Sequence, residues 1–243
     1  MSNFNIYPLG DAAMTVEWAA AIHPDIHEKV LAANYSLKQD PFEGLKELVI
    51  AYNTLTVYYD PFIIKSKYQP ESTVSEWVKK ALESTITDNS KLPARMIHRH
   101  EVPVCYDLSM GTDLERIAEE KHLPVDEIVK LHSTPIYRIY MTGFQPGFPY
   151  LGELPNILFT QRKSKPEVVE SGSVAIAGLQ TGIYPFSGPG GWNVIGRTPW
   201  VLFDPTLDIP VSWEPGDEVK FIPISAKIFE HLKKKKIHVD PGT

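Results

Sequence analysis

Over the first third of the chain, apolar residues recur at two spacings: every second residue, as in half-buried strands, and every third or fourth, as in helices. Residues 13–18 alternate and predict a strand after the turn-forming Pro8-Leu9-Gly10-Asp11. Ile22, Ile26, Val30, Ala33 and Leu37 follow at helical spacing, with Pro24 suited to the first turn. Two β-rich runs, 45–51 and 54–59, come next, and Asp60-Pro61 is expected to stop the second. Thr73-Val74-Ser75-Glu76 has the form of a capping box, with Val74, Trp77, Val78 and Ala81 as the apolar stripe behind it. Strand, helix, strand, strand, helix is most of a ferredoxin-like βαββαβ unit. It carries no phosphate loop or metal-ligand spacing, so packing or partner binding is its expected role.

Residues 89–94 form a polar, Pro-containing link. The expected division is therefore an N-terminal α/β domain over 1–92 and a second domain over 93–243. Residues 97–106 read as a strand and 111–133 as a helical pair, with Thr112 to Glu115 as another capping box and Pro124 opening the second helix. After Pro135 the pattern changes. Short β-rich runs at 136–141, 174–177, 194–195, 201–203 and 219–222 are punctuated by Gly and Pro, which argues for a closed or sandwich-like β structure. A last helix, 225–235, leads into Lys233 to Lys236, cations that suit a helix C-terminus. The expected fold class is α+β.

Composition narrows the function classes. A chain of 243 residues with 43% hydrophobic and 22% charged residues can bury ordinary globular cores. A formal net charge of −6 offers no footprint for a nucleic-acid backbone. No signal peptide and no bilayer-length apolar run is visible, and the single cysteine, Cys105, makes no internal disulfide, so the cytoplasm is the expected compartment. Walker-type, Gly-x-Ser-x-Gly and zinc-type spacings are all missing from the sequence. His98 and His100 share a strand face without a third ligand nearby in sequence, so no metal is expected. His132 falls on the apolar stripe of its helix, where a hydrogen-bonded core histidine competes with a proton-transfer role.

What remains is dense in Gly, Pro and aromatic residues: 143–152, 180–185 and 187–198. Glycine allows positive φ and close backbone approach, while proline fixes φ, so together they specify loop shapes on a β scaffold. Phe148, Tyr150 and Trp192 offer apolar walls, and Gln145, Gln180, Asn193 and Arg197 directional polar groups, the usual composition of a small-molecule pocket. Turn-formers and barrel plugs would carry the same composition.

These segments resemble the KipI / allophanate hydrolase subunit 1 family, which includes one of the subunits of bacterial 5-oxoprolinases. The pattern G-F-x-P-G-F-x-Y-L-G is present at 143–152, G-S-V-A-I-A-G at 172–178, Q-T-G-I-Y-P at 180–185 and G-P-G-G-W-x-x-I-G-R-T-P at 188–199. Leu202-Phe203-Asp204-Pro205, Pro215-Gly216-Asp217, Pro8-Leu9-Gly10-Asp11 and Tyr58-Tyr59-Asp60-Pro61 match as well, so the resemblance covers nearly the whole chain. One departure lies at Gln161-Arg162-Lys163-Ser164-Lys165-Pro166, where Arg162 matches but the family's flanking Pro and later Pro-Arg pair are replaced.

The resemblance implies a cyclophilin-like β-barrel after the N-terminal domain, without implying prolyl isomerisation. It also implies three functions. The first is ATP-dependent opening of 5-oxoproline to glutamate. The partners in that reaction would be a C-subunit-like protein of the allophanate hydrolase subunit 2 family and a lactam-utilisation A subunit. ATP, with Mg, would then bind at or near a subunit interface. The second is inhibition of a sensor histidine kinase, and the third a carboxyltransferase-type role in a urea carboxylase or allophanate hydrolase system. On the first, His132, Gln145 and Arg197 are the catalytic candidates. Phe148, Tyr150, Arg162, Gln180, Tyr184, Gly190, Gly191 and Trp192 are the substrate-binding ones.

Overall fold

The computed structural model describes residues 4–19, 22–88, 97–211 and 213–238, and the chain folds as two compact units, Met1–Met96 and Ile97–Thr243. The boundary expected between residues 92 and 93 lies outside the described residues.

The first unit contains β1 (Phe4–Pro8), β2 (Ala13–Trp18), α1 (Pro24–Gln39), β3 (Leu45–Ile50), β4 (Thr54–Tyr59), α2 (Pro61–Tyr68) and α3 (Val74–Asp88). The sheet runs β1-β2-β4-β3 with every pairing antiparallel. Met14, Val16 and Trp18 alternate onto one face of β2, and Leu55, Val57 and Tyr59 onto the same side of β4. Val30, Ala33 and Leu37 of α1, Ile64 of α2 and Val78 and Leu82 of α3 complete that core.

The expected capping box forms at α3, where Glu76 N–H donates to Thr73 Oγ1 and Thr73 N–H to Glu76 Oε2, both at 3.2 Å. Asp60-Pro61 ends β4 but also starts a helix. Asp60 Oδ1 accepts from Phe62 and Ile63 N–H at 3.0 and 3.2 Å, and Pro61 occupies the first turn. β1 is a further departure from the ferredoxin-like expectation: the sheet edge beside β2 is taken by a strand from before the first one predicted.

The second unit contains β5 (Arg99–Cys105), α4 (Leu114–Lys121), α5 (Val125–Ser133), β6 (Ile136–Thr142), β7 (Pro149–Gly152), β8 (Glu167–Val169), β9 (Ser173–Ala177), β10 (Gln180–Ile183), β11 (Gly188–Gly190), β12 (Asn193–Arg197), β13 (Glu218–Ile224) and α6 (Ala226–Lys234). Seven of the strands close a barrel in the order β10-β7-β6-β13-β5-β12-β9, while β8 and β11 form a separate two-stranded ribbon. The fold is mixed α+β. The 201–203 run does not become a strand; only Val201 bridges, to His238. The Thr112–Glu115 box does not form at α4. Its N-cap residue Asp113 makes no capping hydrogen bond, because the carboxylate is engaged across the chain by Val194 N–H at 2.7 Å.

Val102, Val104, Ile139, Val174, Ile176 and Phe221 are wholly buried and fill the barrel core with side chains. Any ligand site of this unit therefore lies outside the lumen. Cys105 is buried and free. Among the described residues no helix is long and apolar enough to cross a membrane.

Candidate functional site

Strand alternation builds the bed of the site. On β9, Val174 and Ile176 point into the barrel core, whereas Ala175 and Ala177 belong to a second, smaller cluster with Phe148, Tyr184, Trp192 and Val194. The outward residues of β9 are small and leave room for rings. Gly182 of β10, paired with Ala175 and Tyr150, continues that bed: a Cβ there would lie 2.8 Å from Phe148 Cζ. The glycine lets the Phe148 ring lie directly on the strand. Gly190 has a similar role, since a Cβ there would meet the Tyr184 ring and hydroxyl at 2.8 Å.

Over this bed Phe148 packs edge-on against Tyr184 and Trp192, with centroids 5.2 and 5.6 Å away, and Tyr150 packs edge-on against Trp192 at 5.8 Å. Phe144, at φ 66° and 64% exposed, stands at the rim and contacts Phe148 and Tyr184. A non-glycine residue in the left-handed region stores strain of the kind that clusters at functional sites.

The result is an aromatic cleft of ≈ 400 Å³. It brings together six of the residues singled out in the sequence: Phe148, Tyr150, Arg162, Tyr184, Gly191 and Trp192. The Arg162 guanidinium sits 5.9 Å from the Trp192 ring centroid, a cation–π distance. Burial raises the Tyr150 and Tyr184 phenols above the usual tyrosine value, partly offset by Arg162, so both keep the proton needed to donate a hydrogen bond.

The other candidates lie elsewhere. Gly190 supports the cleft through Tyr184 without lining it. Gln180 pairs with Ala177 in the barrel wall. Gln145 is in the 143–148 turn, donating its N–H to Gly143 C=O and accepting from Phe148 N–H; its Oε1 is buried without a hydrogen bond. Arg197 donates from Nε to Ser171 C=O at 2.8 Å and pairs with Glu170 at 3.1 Å, which ties β12 to the turn before β9. Nε and Nη2 are thus engaged in structure.

His132 is corrected most clearly. It has no exposed surface and stacks on Phe221 inside the barrel core. Thr181 Oγ1 donates to Ala175 C=O, so it accepts from His132 Nε2–H at 2.9 Å; Nδ1 is then the acceptor for Tyr106 O–H at 2.8 Å. This assignment requires the neutral imidazole, and burial pushes its pKa down to about 3. It is a core histidine, not a proton-transfer group.

Beside the aromatic cleft lies a polar one of ≈ 640 Å³ that sequence reasoning missed. Arg162, Lys163 and Ser164 line both. Lys163 Nζ lies 2.7 Å from Asp113 and 2.6 Å from Glu167, and its N–H donates to Gly191 C=O. Burial penalises the Lys163 ammonium, but hydrogen bonds and charge from the two carboxylates outweigh this and raise its pKa. Arg116 donates to Asn193 Oδ1 at 2.6 Å, and Asn193 Nδ2 donates to Gln161 and Ile176 C=O, so Asn193 is also structural. These residues come from α4, the 159–167 segment and β12, and no linear motif joins them. Of the His98–His100 pair, His100 Nε2 faces the Asp217 carboxylate at 3.6 Å. Among the described residues, no group of three or more His, Cys, Asp or Glu side chains is placed to hold a metal.

Residues 4–213 match the family model described as carboxyltransferase domain, subdomain C and D. The chain is similar to the 5-oxoprolinase B subunit of Bacillus subtilis, with 38% identity over 96% of this chain and 98% of that protein. Against the 5-oxoprolinase B subunit of Haemophilus influenzae the identity is 38% over 90% of this chain and 97% of that one. Among solved structures, that of TTHA0988 shares 32% identity with a TM-score of 0.74; the match covers 88% of this chain but only 40% of the longer TTHA0988 chain. The motifs at 143–199 and the match over 4–213 agree, and the chain belongs to the carboxyltransferase subdomain C and D family, the KipI / allophanate hydrolase subunit 1 family of the sequence resemblance.

Proposed function

We propose that this chain is the B subunit of an ATP-dependent 5-oxoprolinase, which opens 5-oxoproline to glutamate. The observation that carries the reading is the 38% identity with the Bacillus subtilis protein over nearly the full length of both chains. The aromatic cleft supports it chemically. 5-Oxoproline is a compact lactam with one carboxylate. A ring of that size fits within ≈ 400 Å³ beside Phe144 and Tyr150, over the buried Trp192 and Tyr184, and Arg162 is the cation that receives the carboxylate. An arginine–carboxylate pair at the edge of an apolar cleft gives orientation as well as attraction. Tyrosine phenols that stay protonated are suitable donors toward the lactam oxygen as it gains charge.

ATP supplies the phosphoryl group that, transferred to the amide oxygen with release of ADP, makes the ring carbon electrophilic toward water. This chain's part is to bind and orient the lactam. Among the described residues lining the aromatic cleft, Lys163, Tyr150 and Tyr184 are the groups able to exchange a proton, and each has its pKa raised, so we assign proton removal to groups of the partners. Those partners are the C-subunit-like protein of the allophanate hydrolase subunit 2 family and the lactam-utilisation A subunit. We assign the complex to the cytoplasm and the barrel to the cyclophilin-like class.

The test is reconstitution. The chain purified with both partners is expected to release glutamate from 5-oxoproline with matching ADP. A complete complex that forms but yields no glutamate overturns the reading.

A further inference from the structure

We propose that the polar cleft is a polyphosphate site that holds the phosphate chain of a nucleoside triphosphate; the inference rests on the oxoprolinase reading. The cleft's lysines and arginines outnumber its carboxylates, and the carboxylates differ in kind. Asp113, with a side chain 10% exposed, is committed to Val194 N–H and Lys163. Glu120 and Glu167 are 48% and 66% exposed; Glu120 pairs through its two oxygens with Arg116 and Lys121, and Glu167 through one with Lys163. The carboxylates are the exposed members of these pairs, while Lys121 and Lys163 are 16% and 13% exposed, so an incoming phosphate would replace a carboxylate that turns into solvent on cations that stay in place.

Lys163 is the fixed element. Its backbone N–H is bound to Gly191 C=O, its ammonium is largely buried, and Asp113 neutralises only one of its charge contacts. The Glu167 carboxylate, 2.6 Å from Nζ, occupies the position a phosphate oxygen would take. Lys165 has no carboxylate partner among the described residues, so it adds uncompensated positive charge at the mouth. With Glu120 and Glu167 turned outward, Arg116, Lys121, Lys163 and Lys165 face one space of ≈ 640 Å³, roomy enough for a triphosphate, while Arg162 at its border stays over Trp192.

The location matters as much as the charge. Residues 162–164 line this cleft and the aromatic one together. The two clefts therefore meet along this segment, so a phosphate chain in one and a lactam in the other would be neighbours, and transfer to the amide oxygen would take place where the clefts join at its edge. The site uses side chains in place of a glycine-rich phosphate loop, which accounts for the missing linear motif.

The experiment measures binding of a non-hydrolysable ATP analogue to the full chain and to its complex with both partners, by calorimetry at two ionic strengths. Tripolyphosphate and adenosine serve as competitors. The analogue is expected to bind, more weakly at higher salt, with tripolyphosphate competing and adenosine not. Lys165→Glu reverses a charge that has no ion pair to lose and should weaken binding on the order of tenfold. Glu167→Gln should act oppositely and tighten it roughly threefold, because it removes the carboxylate that competes for Lys163. Both side chains are exposed, so both variants keep the fold. Unchanged affinity in both variants, or analogue binding that tripolyphosphate does not displace, overturns the proposal. Glutamate release plays no part in this readout. A complex that binds the analogue in this pattern but fails to open 5-oxoproline contradicts the functional reading and leaves the anion site standing.

Discussion

Replacing His132 with glutamine should flatten the pH dependence of barrel stability between about pH 7.5 and about pH 5. In the folded chain the imidazole is wholly buried and its pKa is pushed down from 6.5 to about 3 by burial. In the unfolded chain it titrates near the ordinary histidine value, so the unfolded state binds a proton that the folded state refuses. The stabilisation from keeping His132 neutral is therefore intact above the unfolded pKa. It is lost as pH falls below that value, down to the folded pKa. Each tenfold difference in proton affinity is worth about 1.4 kcal/mol, so the loss is about 2 kcal/mol at about pH 5 and about 5 kcal/mol when complete.

The variant begins less stable because an amide replaces the ring stacked on Phe221, but it has no proton to take up. Urea titration read by pulsed hydrogen exchange on barrel peptides separates this unit from the N-terminal one. The wild type should lose about 2 kcal/mol more than the variant over that interval. Equal pH slopes would show that His132 does not sit as a neutral, hydrogen-bonded core group, and would restore it as a proton-transfer candidate.

Gly190→Ala forces a Cβ to within 2.8 Å of the Tyr184 ring; overpacking of this kind costs roughly 1–3 kcal/mol, read as a lower unfolding midpoint, and should raise KM for 5-oxoproline as the cleft rearranges. A normal midpoint and KM would mean that the Tyr184 packing is not what the glycine serves. Arg197→Met removes the bond to Ser171 C=O and the Glu170 pair, and should cost about 1 kcal/mol of stability while kcat of the reconstituted complex changes less than about threefold. A kcat collapse with stability retained would return Arg197 to the catalytic candidates.

Much of the fold was legible from periodicity. Residues 13–18 and 54–59 are strands, as the alternation of the first and the β-rich composition of the second predict, and Thr73 and Glu76 cap α3 reciprocally. The misses have physical causes. Asp60-Pro61 looks like a stop because both residues end strands, yet the pair is also a cap and a first-turn proline for α2. Thr112–Glu115 looks like a capping box, but a carboxylate one residue away is drawn to Val194 N–H. The motif segments read as loops because of their Gly and Pro, whereas β7, β10 and β11 run through them. In these strands glycine marks close approach by a ring, as at Gly182 under Phe148, and not a turn.

The site divides along the same line. The aromatic residues of the cleft sit in dense linear motifs and were visible as a group. Arg197 and Gln180 share those motifs but serve the barrel wall, and polarity alone does not separate the two cases. Lys163, Asp113 and Arg116 were invisible because they come from distant segments and acquire meaning only when α4 meets β12.

The most direct test of the oxoproline cleft compares 5-oxoproline with 2-pyrrolidinone, the same lactam without its carboxylate, as substrates of the reconstituted complex carrying wild-type chain or Arg162→Met. The wild type should prefer 5-oxoproline strongly in kcat/KM. Arg162→Met should raise KM for 5-oxoproline on the order of tenfold or more and leave the values for 2-pyrrolidinone nearly unchanged, so that the preference collapses. If Arg162→Met retains the full preference for 5-oxoproline, the carboxylate is read elsewhere and the aromatic cleft is not the lactam site.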